Sequence, residues 1–143
     1  MFQLVYLSFA SPKFNNQEDK GLQEILNVAN PNNESIGVTG MLLYKGGVFM
    51  QLLEGNKNVV LNLFGRIGTD LRHEGIKILV KQEVEGRLFT DWTMGYRKID
   101  NVEIEAISQI LPWQEILQMT LNRECVSQEK IMEIFKKFRW ELK

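Results

Sequence analysis

The chain has 143 residues, 44% hydrophobic and 24% charged. These values are close to the globular average and exclude a disordered tail, a collagen-like repeat and a mucin-like stalk. Lys+Arg number 17 against 18 Asp+Glu, a net charge of -1, so no nucleic-acid or membrane surface is expected. One cysteine, Cys125, and one histidine, His73, exclude an internal disulfide and a four-cysteine zinc site, and no metal is expected.

The amino-terminal run Met1-Phe2-Gln3-Leu4-Val5-Tyr6-Leu7 is apolar without a basic lead-in. It reads as a buried strand over 2–8 rather than a signal peptide. No apolar run approaches the ~18 residues of a membrane span, and a reducing cytoplasm is the expected compartment. Ser11 to Asn16 reads as a loop. Leu22, Ile25, Leu26 and Ala29 recur at i, i+3, i+4, i+7 behind acids and amides. That spacing predicts an amphipathic helix, ending by Asn30-Pro31 because the residue before proline avoids the helical region.

Ile36–Tyr44 and Val48–Glu54 read as two strands joined at Lys45-Gly46-Gly47, whose glycines can take positive φ. Asn56-Lys57-Asn58 opens a second helix with Val60, Leu63, Phe64, Ile67 and Leu71 on one face. A fourth strand over 77–84, preceded by Ile76, is expected to put Ile76, Ile78, Val80 and Val84 on one face. After a loop over 86–91, Trp92–Lys98 reads as a fifth strand. The order β-α-β-β-α-β-β predicts an α+β domain: a ferredoxin-like five-stranded mixed sheet with two helices on one face, plus C-terminal helices. Those helices draw on Ile104, Ile107, Ile110 and Leu111; on Trp113, Ile116, Leu117 and Leu121; and on Ile131, Ile134, Phe135, Phe138 and Leu142 behind Ser127 as N-cap. They are expected to cover the open sheet face or a partner.

Four polar features stand out against this apolar background. Tyr6 and Gln51 each lie mid-strand among apolar neighbours, where an amide or hydroxyl is costly without partners. Taken singly, each is most simply a satisfied structural group. Asn32 and Asn33 follow Pro31, where turn chemistry alone accounts for them. Trp92 and Met94, two apart on a strand, share a face, as ordinary core residues do.

Together the four features resemble the BLUF family of flavin-binding blue-light sensors, over about residues 1–98. The resemblance rests on Tyr6-Leu7-Ser8, on Asn32-Asn33 followed by Ile36-Gly37-Val38-Thr39-Gly40, and on Phe49-Met50-Gln51-Leu52-Leu53-Glu54-Gly55. Arg66 with Asp70-Leu71-Arg72-His73, and Phe89-Thr90-Asp91-Trp92-Thr93-Met94, complete it. It implies a flavin, usually FAD with FMN as the alternative, between the two helices. It also implies that Asn33, with Asn32 secondary, meets the pyrimidine edge of the ring and that Gln51 switches between flavin and Tyr6. By the same resemblance Arg66, Asp70, Arg72 and His73 hold the ribityl and phosphate end, with Lys13 or Lys20 as open candidates beside them. Trp92 and Met94 would couple the site to the rest of the protein.

The residue types suit that chemistry. A neutral phenol can lose an electron and a proton together, and an amide carries both a donor and an acceptor. Two bonding patterns of similar energy make a bistable element. Cys125 lies outside the matched stretch, so no covalent flavin adduct is expected. Residues 99–143 are too few for a cyclase, phosphodiesterase or DNA-binding domain. The expectation is therefore a short stand-alone sensor, not an enzyme, with residues 99–143 as a helical cap or output segment. It would act through a homo-oligomer or a separate signalling protein. A flavin-dependent oxidoreductase and a flavin-free ferredoxin-like interaction module are the competing readings. The first lacks acids and bases to serve it; the second leaves Tyr6 and Gln51 merely structural.

Overall fold

The computed structural model describes residues 1–15, 18–90, 94–99, 113–124 and 127–141. The elements are β1 (Phe2–Ala10), α1 (Pro12–Asn15), α2 (Glu18–Ile36), β2 (Thr39–Lys45), β3 (Val48–Gly55), α3 (Lys57–Ile67), β4 (His73–Glu83), β5 (Gly95–Lys98), α4 (Trp113–Leu121) and α5 (Gln128–Glu141). The chain divides into two compact units, Met1–Arg97 and Lys98–Lys143.

The first unit is built on a five-stranded mixed sheet in the order β4-β1-β3-β2-β5. β1 runs antiparallel to both β3 and β4, and β2 is antiparallel to β3. The β2–β3 connection is a two-residue turn at Gly46 and Gly47, with φ of 54° and 85°. Positive φ at both central residues matches the twist of the flanking strands and favours glycine at each. On one side of the sheet Leu4, Tyr6, Leu42, Tyr44, Phe49 and Leu53 pack with Leu22 of α2 and with Val60 and Leu63 of α3. Strand side chains alternate in direction, so Gln3, Val5, Met41, Met50, Leu52 and Glu54 point the other way, and all of these are buried as well.

Five expectations need correction. α2 does not stop at Asn30 but runs through Pro31 to Ile36. Pro31 forfeits the bond its N–H would make to Asn27, yet the helix ends only at Gly37. There φ is +71°, and the Gly37 and Val38 amides bond the carbonyls of Glu34 (3.3 Å) and Asn33 (2.9 Å). These two bonds form a Schellman motif, for which glycine is the favoured residue. Ile36 is therefore helical and β2 begins at Thr39. Pro12–Asn15 forms a single helical turn rather than a loop, burying Phe14 against Tyr44 and Phe49 at ring distances of 5.5 and 5.1 Å.

Leu71 lies beyond α3 and is 83% exposed instead of continuing its apolar stripe. β4 starts at His73, and a register shift separates the pairs Val5↔Val80 and Tyr6↔Ile78. The residue inserted at Leu79 puts Ile78 and Val80 on opposite faces, since a bulge resets the two-residue phase. Finally, β5 spans Gly95–Lys98, so Met94 precedes it; Trp92, assigned to the same strand, lies outside the described residues.

α3 opens at Asn56 as expected, and Asn56 caps it, accepting from the Asn58 amide at 3.0 Å and the Val59 amide at 3.4 Å. In the second unit, α4 buries Ile116 while Leu121 is exposed. α5 starts at a Ser127 side chain that accepts from the Lys130 amide at 3.4 Å, and it buries Ile131, Ile134, Phe135 and Phe138. The expected stripe over Ile104, Ile107, Ile110 and Leu111, along with Cys125 and Leu142, lies outside the described residues. Among the described residues no helix is long and apolar enough to cross a membrane.

Candidate functional site

Within the first unit a cleft of about 280 Å³ is lined by residues of the sheet, α2 and α3. The sheet supplies Tyr6, Leu42, Phe49 and Gln51, and α2 supplies Ile25, Val28, Ala29, Asn32 and Asn33. α3 supplies Leu63, Arg66 and Ile67, and the chain after it Asp70, Arg72 and His73. The volume is near the lower end of the range for small-molecule sites, and an apolar lining with a few convergent polar groups is usual for them. Continuation of α2 past Pro31 explains the placement of the asparagines. Residues 25, 29, 32 and 33 fall at helical spacing, so both amides join Ile25 and Ala29 on the face toward the cleft.

Tyr6 and Gln51 are paired directly across β1 and β3. The Tyr6 hydroxyl donates to Gln51 Oε1, and Gln51 Nε2 donates to the Met94 sulfur at 3.1 Å. Both Tyr6 and Gln51 are buried. Burial pushes the Tyr6 phenol well above its usual range, and the negative Asp70 adds to the effect, so the phenol is neutral and keeps its proton. The Tyr6 ring lies 5.5 Å from Phe64 and 6.1 Å from His73. Thioether sulfur is a weak acceptor that cannot donate. It therefore favours the amide orientation with nitrogen toward Met94 and oxygen toward Tyr6, but only slightly.

Asp70 accepts from the Arg72 backbone amide at 2.9 Å and clasps the Arg72 guanidinium through Nε at 2.9 and 3.0 Å and through Nη2. These bonds hold its carboxyl below the usual carboxylate range and raise the guanidinium's value. The pair is one-third exposed, so solvent weakens it. Arg66 sits exposed in the last turn of α3, where a cation meets the negative end of the helix dipole. His73 Nε2 lies 2.7 Å from the Ile67 carbonyl and Nδ1 lies 2.8 Å from the Ser8 hydroxyl. A carbonyl only accepts, so Nε2 carries the hydrogen, and in the neutral ring Nδ1 accepts from Ser8.

The structure thus brings Tyr6, Asn32, Asn33, Gln51, Arg66, Asp70, Arg72 and His73 around one cleft and ties Met94 to its floor. Lys20 is exposed and outside the lining. The Lys13 side chain and Trp92 lie outside the described residues. The sequence reading missed Ser8, whose hydroxyl fixes the His73 ring, and the buried Glu54, which binds the connection before Met94. A carboxylate inside an apolar strand was the available signal for the latter.

The family model described as BLUF, sensors of blue-light using FAD, matches residues 1–95. The chain is 36% identical over 100 residues to the photoactivated adenylate cyclase subunit alpha of Euglena gracilis, covering 70% of this chain and 10% of that protein. It therefore spans about a tenth of the length of such curated relatives. Among solved structures, the photo-activated state of BlsA matches with a TM-score of 0.79 and 28% identity, covering 96% of this chain and 94% of that one. The dark-state structure of BlrB, a BLUF protein, matches with a TM-score of 0.76 over 98% of this chain and 96% of that one; at 24% identity this likeness speaks to the fold.

Proposed function

The chain belongs to the BLUF family of flavin-binding blue-light sensors, and from that premise we propose that Tyr6, Gln51 and Met94 form its light-driven hydrogen-bond switch. The observation that carries this reading is the Gln51 amide, joined to Tyr6 at one end and to Met94 at the other, in the floor of the cleft. The residues suit a flavin. The apolar lining from Ile25, Ala29, Leu63 and Ile67 takes a flat aromatic ring. The amides of Asn33, Asn32 and Gln51 offer the donors and acceptors that its pyrimidine edge requires. Arg66 and Arg72 suit the diphosphate of FAD, with the planar fork of Arg72 set by Asp70. His73, held by Ser8 and Ile67, closes the wall beside them.

When bound, the flavin supplies blue-light absorption and an oxidising excited state. Tyr6 is the side chain able to give up an electron together with its Oη proton, which already points at Gln51 Oε1. Gln51 can then settle with its donor and acceptor ends exchanged, by rotation or tautomerisation, while the electron and proton return to Tyr6. In that arrangement Tyr6 accepts rather than donates, and Met94 loses its N–H partner. Met94 immediately precedes β5, so the change reaches the sheet edge and the chain after it. Residues 1–98 act as the sensor and 99–143 as the output segment. The product is altered affinity for a second copy or a separate signalling protein, not a chemical turnover. A coupling of this kind is typically about 1–3 kcal/mol.

The test is an absorption spectrum of the flavin-loaded chain before and after blue light. A small red shift of the oxidised-flavin bands, reversing in the dark, is the expected result. A colourless protein that ignores added FAD and FMN, or steady oxidation of NADH in place of a reversible shift, would overturn the reading.

A further inference from the structure

The Glu54 side chain is fully buried, on the sheet face opposite Gln51, and the switch makes no use of it. Four donors converge on its carboxylate: Gln3 Nε2 at 3.0 Å, Thr39 Oγ1 at 3.2 Å, and the backbone amides of Leu88 at 2.8 Å and Phe89 at 2.6 Å. The network continues outward, with Gln82 donating to Gln3 at 2.8 Å. Arg87 donates to Thr39 at 2.8 Å, to the Glu54 carbonyl at 3.2 Å and to the Gly37 carbonyl at 2.7 Å. Residues 87, 88 and 89 of the β4–β5 connection are thus bonded in succession to the end of β3 or its neighbours.

Glu54 and Gln51 lie three residues apart on β3, ~10 Å along the strand. The connection is therefore gripped twice by the same strand, at Phe89 by Glu54 and at Met94 by Gln51. We infer that Glu54 is a positioning residue of the switch. Its carboxylate is the fixed point that holds Leu88 and Phe89, while Met94 is the point released when Gln51 changes partners. Movement is then directed forward into β5 and kept out of residues 87–89. A carboxylate suits the fixed end because it only accepts, so no reorientation of it can exchange its bonds.

This inference rests on the proposed switch, and the experiment separates the two. Amide hydrogen exchange is followed residue by residue in the flavin-loaded chain, dark and illuminated, with the absorption spectrum recorded on the same sample. The Leu88 and Phe89 amides should exchange alike in both states. The Met94 and Gly95 amides should change by roughly 5- to 150-fold, the usual span of coupling between sites. In Glu54→Gln one acceptor oxygen becomes an NH₂ facing donors. Flavin content and red shift should persist, while Leu88 and Phe89 become light-sensitive and dark recovery changes rate. A normal red shift with light-sensitive Leu88 and Phe89 in the unmodified chain overturns the inference alone. So does a Glu54→Gln protein with the unmodified exchange pattern. An absent red shift overturns the switch and the inference with it. Should Glu54→Gln fail to fold, the unmodified chain decides.

Discussion

Gln51 and Glu54 share one strand, both are buried, and they face opposite sides of the same sheet. Gln51 makes one bond to a phenol and one to a weakly accepting sulfur; Glu54 takes four donors on two oxygens. The amide's two ends are similar in size and opposite in bonding sense, so turning it exchanges one set of bonds for another. The carboxylate's ends are identical and acceptor-only, so turning it changes nothing. A buried polar group whose bonds are all specified rigidifies its surroundings, whereas one held loosely by weak partners can keep two arrangements close in energy. Within ~10 Å the strand carries one of each, the proposed switch and the proposed anchor.

The largest effect that would break this contrast is on the Gln51 side. Tyr6→Phe should bind flavin and remain yellow yet show no light-induced shift. Its stability should stay within about 1 kcal/mol of the parent chain, since one hydrogen bond is lost; a normal photocycle in it would remove Tyr6 from the switch. Next comes Glu54→Ala, which leaves the Leu88 and Phe89 amides and the Gln3 side chain without their acceptor. Urea denaturation should show a loss of about 3–5 kcal/mol, against under about 2 for Met94→Leu, a nearly volume-conserving change. Equal losses would mean that Glu54 is no anchor.

Met94→Leu sharpens the account of the other end. Without the sulfur the Gln51 nitrogen has lost an acceptor in the dark arrangement. The red shift should remain while dark recovery slows by about 2- to 10-fold, the worth of one weak hydrogen bond. Accelerated recovery would show that Met94 does not favour the dark state. The smallest effect belongs to Asp70, whose carboxyl is held low chiefly by the Arg72 side chain. A depressed folded value stabilises the protein above the ordinary carboxyl range, near pH ~4, and that stabilisation fades as pH falls through the lower folded value. Asp70→Asn should therefore cost up to about 1 kcal/mol at neutral pH and nothing measurable in strong acid. A deficit that persists unchanged in acid would separate it from the Arg72 pair.

The strands and the two long helices were legible because their apolar spacing is local. The hairpin glycines and the Asn56 cap carry their chemistry in two or three residues. The end of α2 was misread because Pro31 is a strong local signal that packing overrode; the operative stop was Gly37, whose positive φ is visible only in the structure. The bulge at Leu79 was hidden because a period-two pattern looks continuous until the partner strand is known. Tyr6, Gln51 and the cleft residues were recognisable from their types and order, but not their bonds. Ser8 and Glu54 went unassigned because their partners, His73 and the Leu88 and Phe89 amides, are far away in sequence.

The central claim is that the Gln51 amide exchanges its bonds while Tyr6 keeps its place beside it. Light-minus-dark infrared difference spectra, with glutamine side chains isotopically labelled, report that amide directly. A label-sensitive pair of amide carbonyl bands that appears with illumination, decays with the flavin red shift and vanishes in Gln51→Leu is the predicted result. A full red shift with no label-sensitive glutamine band would contradict it.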